Sequence, residues 1–416
     1  MGRKLARTIQ LGILFIVILF GYTAFSDQDF TTWQIKFRQL AQQRGIDEAT
    51  LNLAFRGLLT DKKVLRLDAY QPEFSRPIWE YMDSAVSPER IEQGQYVLKE
   101  YAPLLKKISD TYKVDAEYIV AIWGMESSYG QQLGNYSAIR SLATLAYQGR
   151  DDRREFWSKQ LLAALRILQQ GDMSINNLRG SWAGAIGHTQ FIPTTFEEFA
   201  VDFDGDGKRD LRNSIPDALA STANYLAQSG WQRGQPWGTE VVLPRNFDWM
   251  ETEPANWQTL AYWMAQGVYR VDGAPLNLSR SIRAAVIVPA GYQGPAFLTY
   301  PNFNTLLKYN NAPSYALAAG YLAERLKGGR DVQAAWPRSE EPLSRLEKAE
   351  LQERLSAVGY STDGIDGTIG PNTRAALRRW QADTGFPADG YATIQHLNLL
   401  REQSVLPAAS IKAGSF

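Results

Sequence analysis

From Trp33 to about Leu168 apolar residues recur at helical spacing, but between Gly180 and Asp217 that period stops and the chain becomes rich in Gly, Pro and Asp. The pattern predicts a helical frame carrying one long irregular segment, and loops held on a rigid frame are where chemistry usually sits. The frame reads as two blocks. The first, an α-helical lobe, runs from Trp33 to about Leu105, with Ile35, Phe37, Leu40, Leu51, Leu53 and Leu58 as its periodic apolar residues and loop signals at Gln71-Pro72 and Ser87-Pro88. The second runs from Val114 to about Leu168. In it Asp115 is placed to cap a helix carrying Tyr118, Ile119, Ile122, Trp123 and Glu126, and Gly130 to end it.

After the irregular segment, helical periodicity returns from Ile215 to Gly230. Residues 231–310 are rich in aromatics, and the runs 284–288 and 296–300 flank Gly291-Tyr292-Gln293-Gly294, which predicts a hairpin in a small sheet. Residues 305–327 read as one further helix, and Pro337 and Pro342 mark a linker. From Leu343 to about Leu400 follows a compact unit of two half-patterns; at under about 60 residues it supports three short helices and a modest core. The tail beyond Glu402 has no periodicity.

Lys+Arg and Asp+Glu balance at 44 each, so no global positive field draws the chain to nucleic acid. There is no cysteine, which excludes disulfides, thiolate nucleophiles, zinc–cysteine sites and a lipoprotein anchor. Two histidines, His188 and His396, are too few for a catalytic zinc site. Arg3, Lys4 and Arg7 precede the apolar run Leu11–Phe25, and Ala24-Phe25-Ser26 suits a cleavage site, so residues 1–26 read as a signal peptide or an uncleaved inner-membrane anchor. Export to the periplasm follows, and a monomer is the simplest state.

Glu126 ends an apolar helix in Trp123-Gly124-Met125-Glu126-Ser127-Ser128-Tyr129-Gly130, with no basic neighbour in sequence. Desolvation by Trp123, Met125 and Tyr129, helped by the negative end of the helix dipole, is expected to raise its pKa, as a general acid at a glycosidic oxygen requires. A glutamate at a helix end is, taken alone, more often an ordinary polar residue. Asp202-Phe203-Asp204-Gly205-Asp206-Gly207-Lys208-Arg209-Asp210 has the spacing of a calcium loop, with acidic residues at positions 1, 3, 5 and 9 and Gly at 6. Position 12 is Asn213, so the closing carboxylate is expected from Asp217, and the alternative is a metal-free Asp-Gly turn.

Context comes from Ser181-Trp182-Ala183-Gly184-Ala185-Ile186-Gly187-His188-Thr189-Gln190-Phe191-Ile192-Pro193-Thr194-Thr195, with Asn224-Tyr225-Leu226, Gly230-Trp231, Tyr309-Asn310 and Tyr315-Ala316-Leu317 after it. Together with Glu126-Ser127 and Gly130 these segments resemble the lytic murein transglycosylases of the membrane-bound B type, over roughly residues 30–335. The resemblance implies a mainly α (α+β) fold, with a lysozyme-like catalytic domain at 27–336, an extra helical lobe and a small sheet. It also implies Glu126 as acid/base, Ser181 as a hydrogen-bonding partner at the reacting sugar, and Gln190, Phe191, Tyr225, Tyr309 and Asn310 as groove residues. Taken singly, Tyr225 and Tyr309 are more often core aromatics. A structural Ca2+ held by Asp202, Asp204, Asp206, Lys208, Asp210 and Asp217 belongs to the same expectation.

Residues 343–401, after a linker at 337–342 and before a tail at 402–416, resemble a three-helix peptidoglycan-binding module. The match runs through Leu351-Gln352, Asp366-Gly367, Gly370-Pro371-Asn372-Thr373, Trp380-Gln381 and Asp389-Gly390. The implied activity cleaves the MurNAc–GlcNAc linkage of peptidoglycan without water. Two other readings stand beside it: a hydrolytic muramidase, which needs a second carboxylate such as Asp151 or Asp152, and a non-catalytic wall-binding scaffold.

Overall fold

The computed structural model describes residues 29–69, 76–253 and 255–403, and among them helices dominate around one small sheet. The expected signal or anchor at 1–26, the loop signal Gln71-Pro72 and most of the tail lie outside these residues. Among the described residues no helix is long and apolar enough to cross a membrane. The chain divides into two compact units, Met1–Gln71 with Gly130–Ser221 and Pro72–Tyr129 with Thr222–Phe416. The expected catalytic domain is thus distributed over both units, and the C-terminal module is counted with the second.

In the first unit, residues 29–43 and the helices Glu48–Phe55, Lys62–Ala69, Ala138–Gln148 and Arg154–Gln170 bury Phe30, Phe37, Ala41, Leu51, Phe55, Val64, Leu142, Leu145 and Leu161. Ile35, Leu40 and Leu53, expected on the apolar faces, are 55, 37 and 43% exposed instead. The buried stripe of the first helix runs through Phe30, Phe37 and Ala41, and a single stripe about 100° wide cannot also take in Ile35 and Leu40. A two-stranded ribbon pairs Tyr136–Ser137 with Arg179–Gly180, at the entry to the irregular segment.

In the second unit the helix Ala116–Ser127 is apolar on all sides, every residue from Tyr118 to Gly124 being buried, and neighbours cover it accordingly. Helices Pro88–Glu100, Ala102–Tyr112 and Pro313–Leu326 pack against it. Asp115 occupies the N-cap position, but its side chain makes no cap bond: the carboxylate accepts from Trp231 Nε1 at 3.0 Å and from the Gly234 N–H at 3.0 Å. The expected cap is therefore a tie to a distant loop. The predicted hairpin is present, Arg283–Ile287 pairing antiparallel with Ala296–Thr299, inside a five-stranded antiparallel sheet. The helix expected at 305–327 is two, Pro301–Tyr309 and Pro313–Leu326. Pro313 has no N–H to continue the first, so it opens the second, and Asn310 between them is extended.

The C-terminal module has its three helices, Arg345–Ala357, Pro371–Asp383 and Ile394–Gln403, around Leu343, Leu351, Leu355, Leu377, Trp380, Leu397 and Leu400. The two half-patterns are two copies of one device, a buried glutamine gripping an Asp-Gly turn. Gln352 Oε1 accepts from the Asp366 and Gly367 N–H groups while its Nε2 donates to Asp366 Oδ1; Gln381 Oε1 accepts from the Gly390 N–H and its Nε2 donates to Asp389 Oδ1. The second copy also holds the sheet region. Arg378, 4% exposed, pairs with Glu253 and donates to Thr252 O at 3.1 Å, and Asp389 Oδ2 accepts from the Tyr292 N–H at 2.7 Å. Arg378→Met removes a buried charge from this contact but leaves Glu253 partly solvated. We expect protease cleavage between residues 327 and 344 to accelerate by about tenfold in that variant. Digestion at the parent rate would show that other contacts hold the module.

Candidate active site

Glu126 lies in the last turn of the helix Ala116–Ser127, and its Oε1 accepts a hydrogen bond of 2.7 Å from the Tyr315 hydroxyl. The residue is half-buried, and crowding around the carboxyl by protein pushes its pKa up to about 7, the Tyr315 bond pulling the other way. A carboxyl in this state exchanges a proton near neutral pH, as an acid that must also act as a base requires. Tyr315 is 4% exposed, and burial together with the nearby carboxyl raises its phenol well above the ordinary value, so it stays a donor.

Tyr315 stands at one end of an aromatic row. Its ring is parallel to that of Tyr309 at 6.4 Å, and Tyr309 meets Tyr225 edge-on at 5.0 Å. Tyr225 sends its hydroxyl to Lys308 O, which fixes the ring against the helix Pro301–Tyr309. Tyr225 and Tyr309 are half-buried and Asn310 is exposed, so the break at Pro313 leaves ring faces and an amide beside Glu126's phenol partner. Sequence reading missed Tyr315 as the carboxyl's partner. Its signal was position: six residues after Tyr309 and across the helix break.

Ser181, Gln190 and Phe191 belong to the other unit and are held by a tight loop. The Ser181 N–H donates to Ala185 O at 2.9 Å and its Oγ accepts from the Ala185 N–H at 3.1 Å, which leaves the half-buried hydroxyl a proton to donate. Gln190 adopts φ 52° and sends Nε2 to Gly187 O at 2.7 Å and to Leu133 O at 3.3 Å. Phe191 is a correction. Only 2% exposed, with its carbonyl accepting from the Ile186 N–H, it supports the loop from below instead of offering a ring face.

The acidic segment folds back on itself. Oxygens of Asp202, Asp204 and Asp217 lie within 4.8 Å of one another, Asp217 being fully buried at the start of the helix Ile215–Gln228. Asp206, Lys208 and Asp210 are outside this group. Asp206 Oδ1 accepts from the Lys208 N–H at 2.8 Å, and Asp210 caps the Arg212 and Asn213 N–H groups at 3.0 Å. Of the six expected ligands, the carboxylates of Asp202, Asp204 and Asp217 are the ones gathered at one point, and these, like Asp206 and Asp210, also accept backbone N–H bonds from the turn. Asp151 and Asp152, the candidate second carboxylates, sit in an exposed 3-10 turn, Asp151 paired with Arg154 at 2.7 Å.

The transglycosylase SLT domain model matches residues 29–324. The chain belongs to this family. Its lysozyme-like, mainly helical fold is that of the family, and a peptidoglycan binding domain model matches residues 346–400. The membrane-bound lytic murein transglycosylase B of Escherichia coli (strain K12) is 30% identical over 250 residues, 59% of this chain and 66% of that protein's length. The structure of SltB3 from Pseudomonas aeruginosa in complex with NAG-anhNAM-pentapeptide superposes with a TM-score of 0.87 at 52% identity, over 89% of this chain and 99% of that one. The Escherichia coli lytic transglycosylase Slt35 in complex with calcium gives a TM-score of 0.60 at 26% identity, over 71% and 92%.

Proposed function

We propose that this protein is a peptidoglycan lytic transglycosylase of the cell envelope in which Glu126 is both acid and base. The observation that carries the reading is the carboxyl itself: desolvated, bonded to a phenol, and poised with a pKa of about 7. Glu126 gives its proton to the oxygen between MurNAc and GlcNAc as the bond from C1 to that oxygen breaks. The muramoyl C6 oxygen then closes onto C1, and its proton returns to the Glu126 carboxylate. The carboxyl is regenerated, no water enters, and the product ends in 1,6-anhydro-MurNAc. The bound NAG-anhNAM-pentapeptide of SltB3 supports this outcome. Ser181's free proton suits the acetamido oxygen or the migrating hydroxyl, and the row Tyr225–Tyr309 with Asn310 suits the sugar faces.

Hydrolysis needs a second carboxylate to activate water, and the solvated, ion-paired Asp151 is no such group. Mass spectrometry of the soluble products from purified sacculi separates the readings, since reducing sugar termini in place of anhydro termini would sink the proposal. Tyr315→Phe supplies a second check. The hydroxyl favours the ionised carboxyl, so its loss raises the Glu126 pKa, and the alkaline fall of kcat/KM is expected to move to higher pH as kcat drops about tenfold.

The gathered Asp202, Asp204 and Asp217 carboxylates fit a hard cation, for which we propose Ca2+ with a structural role. Three mutually repelling carboxylates, one of them buried, call for a positive charge between them. At a Ca2+ concentration 100-fold above Kd, stabilisation of about 2.7 kcal/mol is expected, read as a rise in Tm that Asp204→Ala abolishes. An unchanged Tm in the parent would remove the ion from the proposal. The basic and apolar N-terminal run supports export to the periplasm.

A further inference from the structure

The helix Ala116–Ser127 ends in an unusual way one residue after its carboxyl. Ser128, Tyr129 and Gly130 all have left-handed backbone, with φ of 49°, 58° and 88°. Only the last is glycine. A residue with a side chain costs about 1–3 kcal/mol in this region, so two in succession need something to hold them. The holder is Tyr129's own side chain. Its ring folds back onto the helix it has just left, meeting Trp123 edge-on at 5.9 Å, and its hydroxyl donates to Arg90 O at 2.7 Å.

Two glycines make room for that ring, each inside a helix where alanine is preferred by about 1 kcal/mol. A Cβ on Gly124 would lie 2.6 Å from Tyr129 Cζ, and one on Gly94, in the helix Pro88–Glu100, 2.4 Å from the Tyr129 oxygen and equally close to Leu326 Cδ2. Gly94, Gly124 and Tyr129 therefore form one clamp spanning two helices.

We propose that Tyr129 is a positioning residue for the reaction: by clamping the left-handed turn it ends the helix one residue after Glu126 and keeps the carboxyl shielded on its last turn. The proposal rests on Glu126 as acid/base. The titratable and charged groups at this end are few. Helix Pro313–Leu326 presents Tyr315, with Tyr309 and Tyr81 behind it. Helix Pro88–Glu100 presents Arg90, whose guanidinium is turned to Ser84 O and Ala85 O at 2.9 Å. Tyr101, before helix Ala102–Tyr112, faces Trp123. Glu117, Glu324 and Lys327 gather at the far end of the helix, Lys327 pairing with both acids. Solvent access is thus the variable that the clamp controls.

The test measures kcat, KM and the pH profile of kcat/KM on purified sacculi for Tyr129→Ala, Tyr129→Phe, Gly94→Ala and Glu126→Gln, with circular dichroism to confirm folding. Tyr129→Ala and Gly94→Ala are expected to lower kcat about tenfold or more at little change in KM, and to move the alkaline fall to lower pH by about half a unit, as water reaches the carboxyl. Tyr129→Phe keeps the ring and restores most of kcat. Loss of activity with the pH profile unmoved, or full activity in both Ala variants, overturns the clamp while leaving Glu126's role intact. Activity retained in Glu126→Gln overturns the reading beneath it. If Tyr129→Ala fails to fold, Gly124→Ala, measured in the same way, decides together with Gly94→Ala, because the atoms nearest its Cβ all belong to Tyr129.

Discussion

Glu126→Gln is expected to release soluble fragments from sacculi at least about 100-fold more slowly than the parent, the usual scale for a lost general acid. The amide keeps the shape and can still accept from the Tyr315 hydroxyl, but it neither gives nor retrieves the proton. A second readout is independent of activity. The folded carboxyl titrates near 7 against an ordinary 4.5, so the folded protein binds this proton more tightly than the unfolded chain does. Glu126 therefore favours the folded state fully below about 4.5 and loses that contribution as pH rises through about 7. Above 7 the buried carboxylate opposes folding. Glu126→Gln should then melt higher than the parent at pH 8, and the advantage should vanish at pH 4. Lytic activity near the parent level in a folded variant would show that the proton comes from elsewhere.

The sequence carried the helical frame, the hairpin and the three-helix module because each rests on local periodicity and turn chemistry, which a linear reading captures. It also carried the direction of the Glu126 shift, since a carboxyl at the end of an apolar helix with no basic neighbour in sequence is expected to be desolvated. What it did not carry depends on pairings between distant segments. Tyr315 is 189 residues from the carboxyl to which it donates, and its place six residues after Tyr309 does not by itself name that partner. Asp115 has the position and type of a cap and still gives its oxygens to Trp231 and Gly234. Phe191, within the motif expected to line a groove, is buried. The need for glycine at Gly94 and Gly124 is likewise non-local: Tyr129's ring fills the space at both, joined at Gly94 by Leu326. Spacing proposed six ligands, and only the folded turn shows which carboxylates, those of Asp202, Asp204 and Asp217, gather at one point.

Gly187→Ala is expected to be strongly damaging in the irregular segment, because it joins left-handed strain to a clash with backbone. Gly187 has φ 71°, and a Cβ there would stand 2.1 Å from the Leu211 carbonyl oxygen and 2.5 Å from its carbon. Those atoms are backbone and cannot rotate away. They are also fixed, because the His188 N–H donates to the same Leu211 oxygen at 2.9 Å. Leu211 follows Asp210, whose N–H donates to the buried Asp217 at 2.9 Å, so displacing it disturbs the carboxylate group as well as the turn carrying Ser181 and Gln190. Left-handed strain of about 1–2 kcal/mol and the clash together are expected to cost at least about 3 kcal/mol. For a unit of this size that lowers Tm by roughly 6–12 °C. Gly171→Ala separates the two contributions: Gly171 has φ 79° and nothing within 4 Å of a Cβ, so it carries the strain alone and should cost about 1–2 kcal/mol. Calorimetry of both variants with and without Ca2+ decides the matter. Gly187→Ala should lose stabilisation by the ion as well as Tm, whereas Gly171→Ala should keep it. Equal losses in the two variants would mean that the loop yields to the methyl and that the two segments are not held as one.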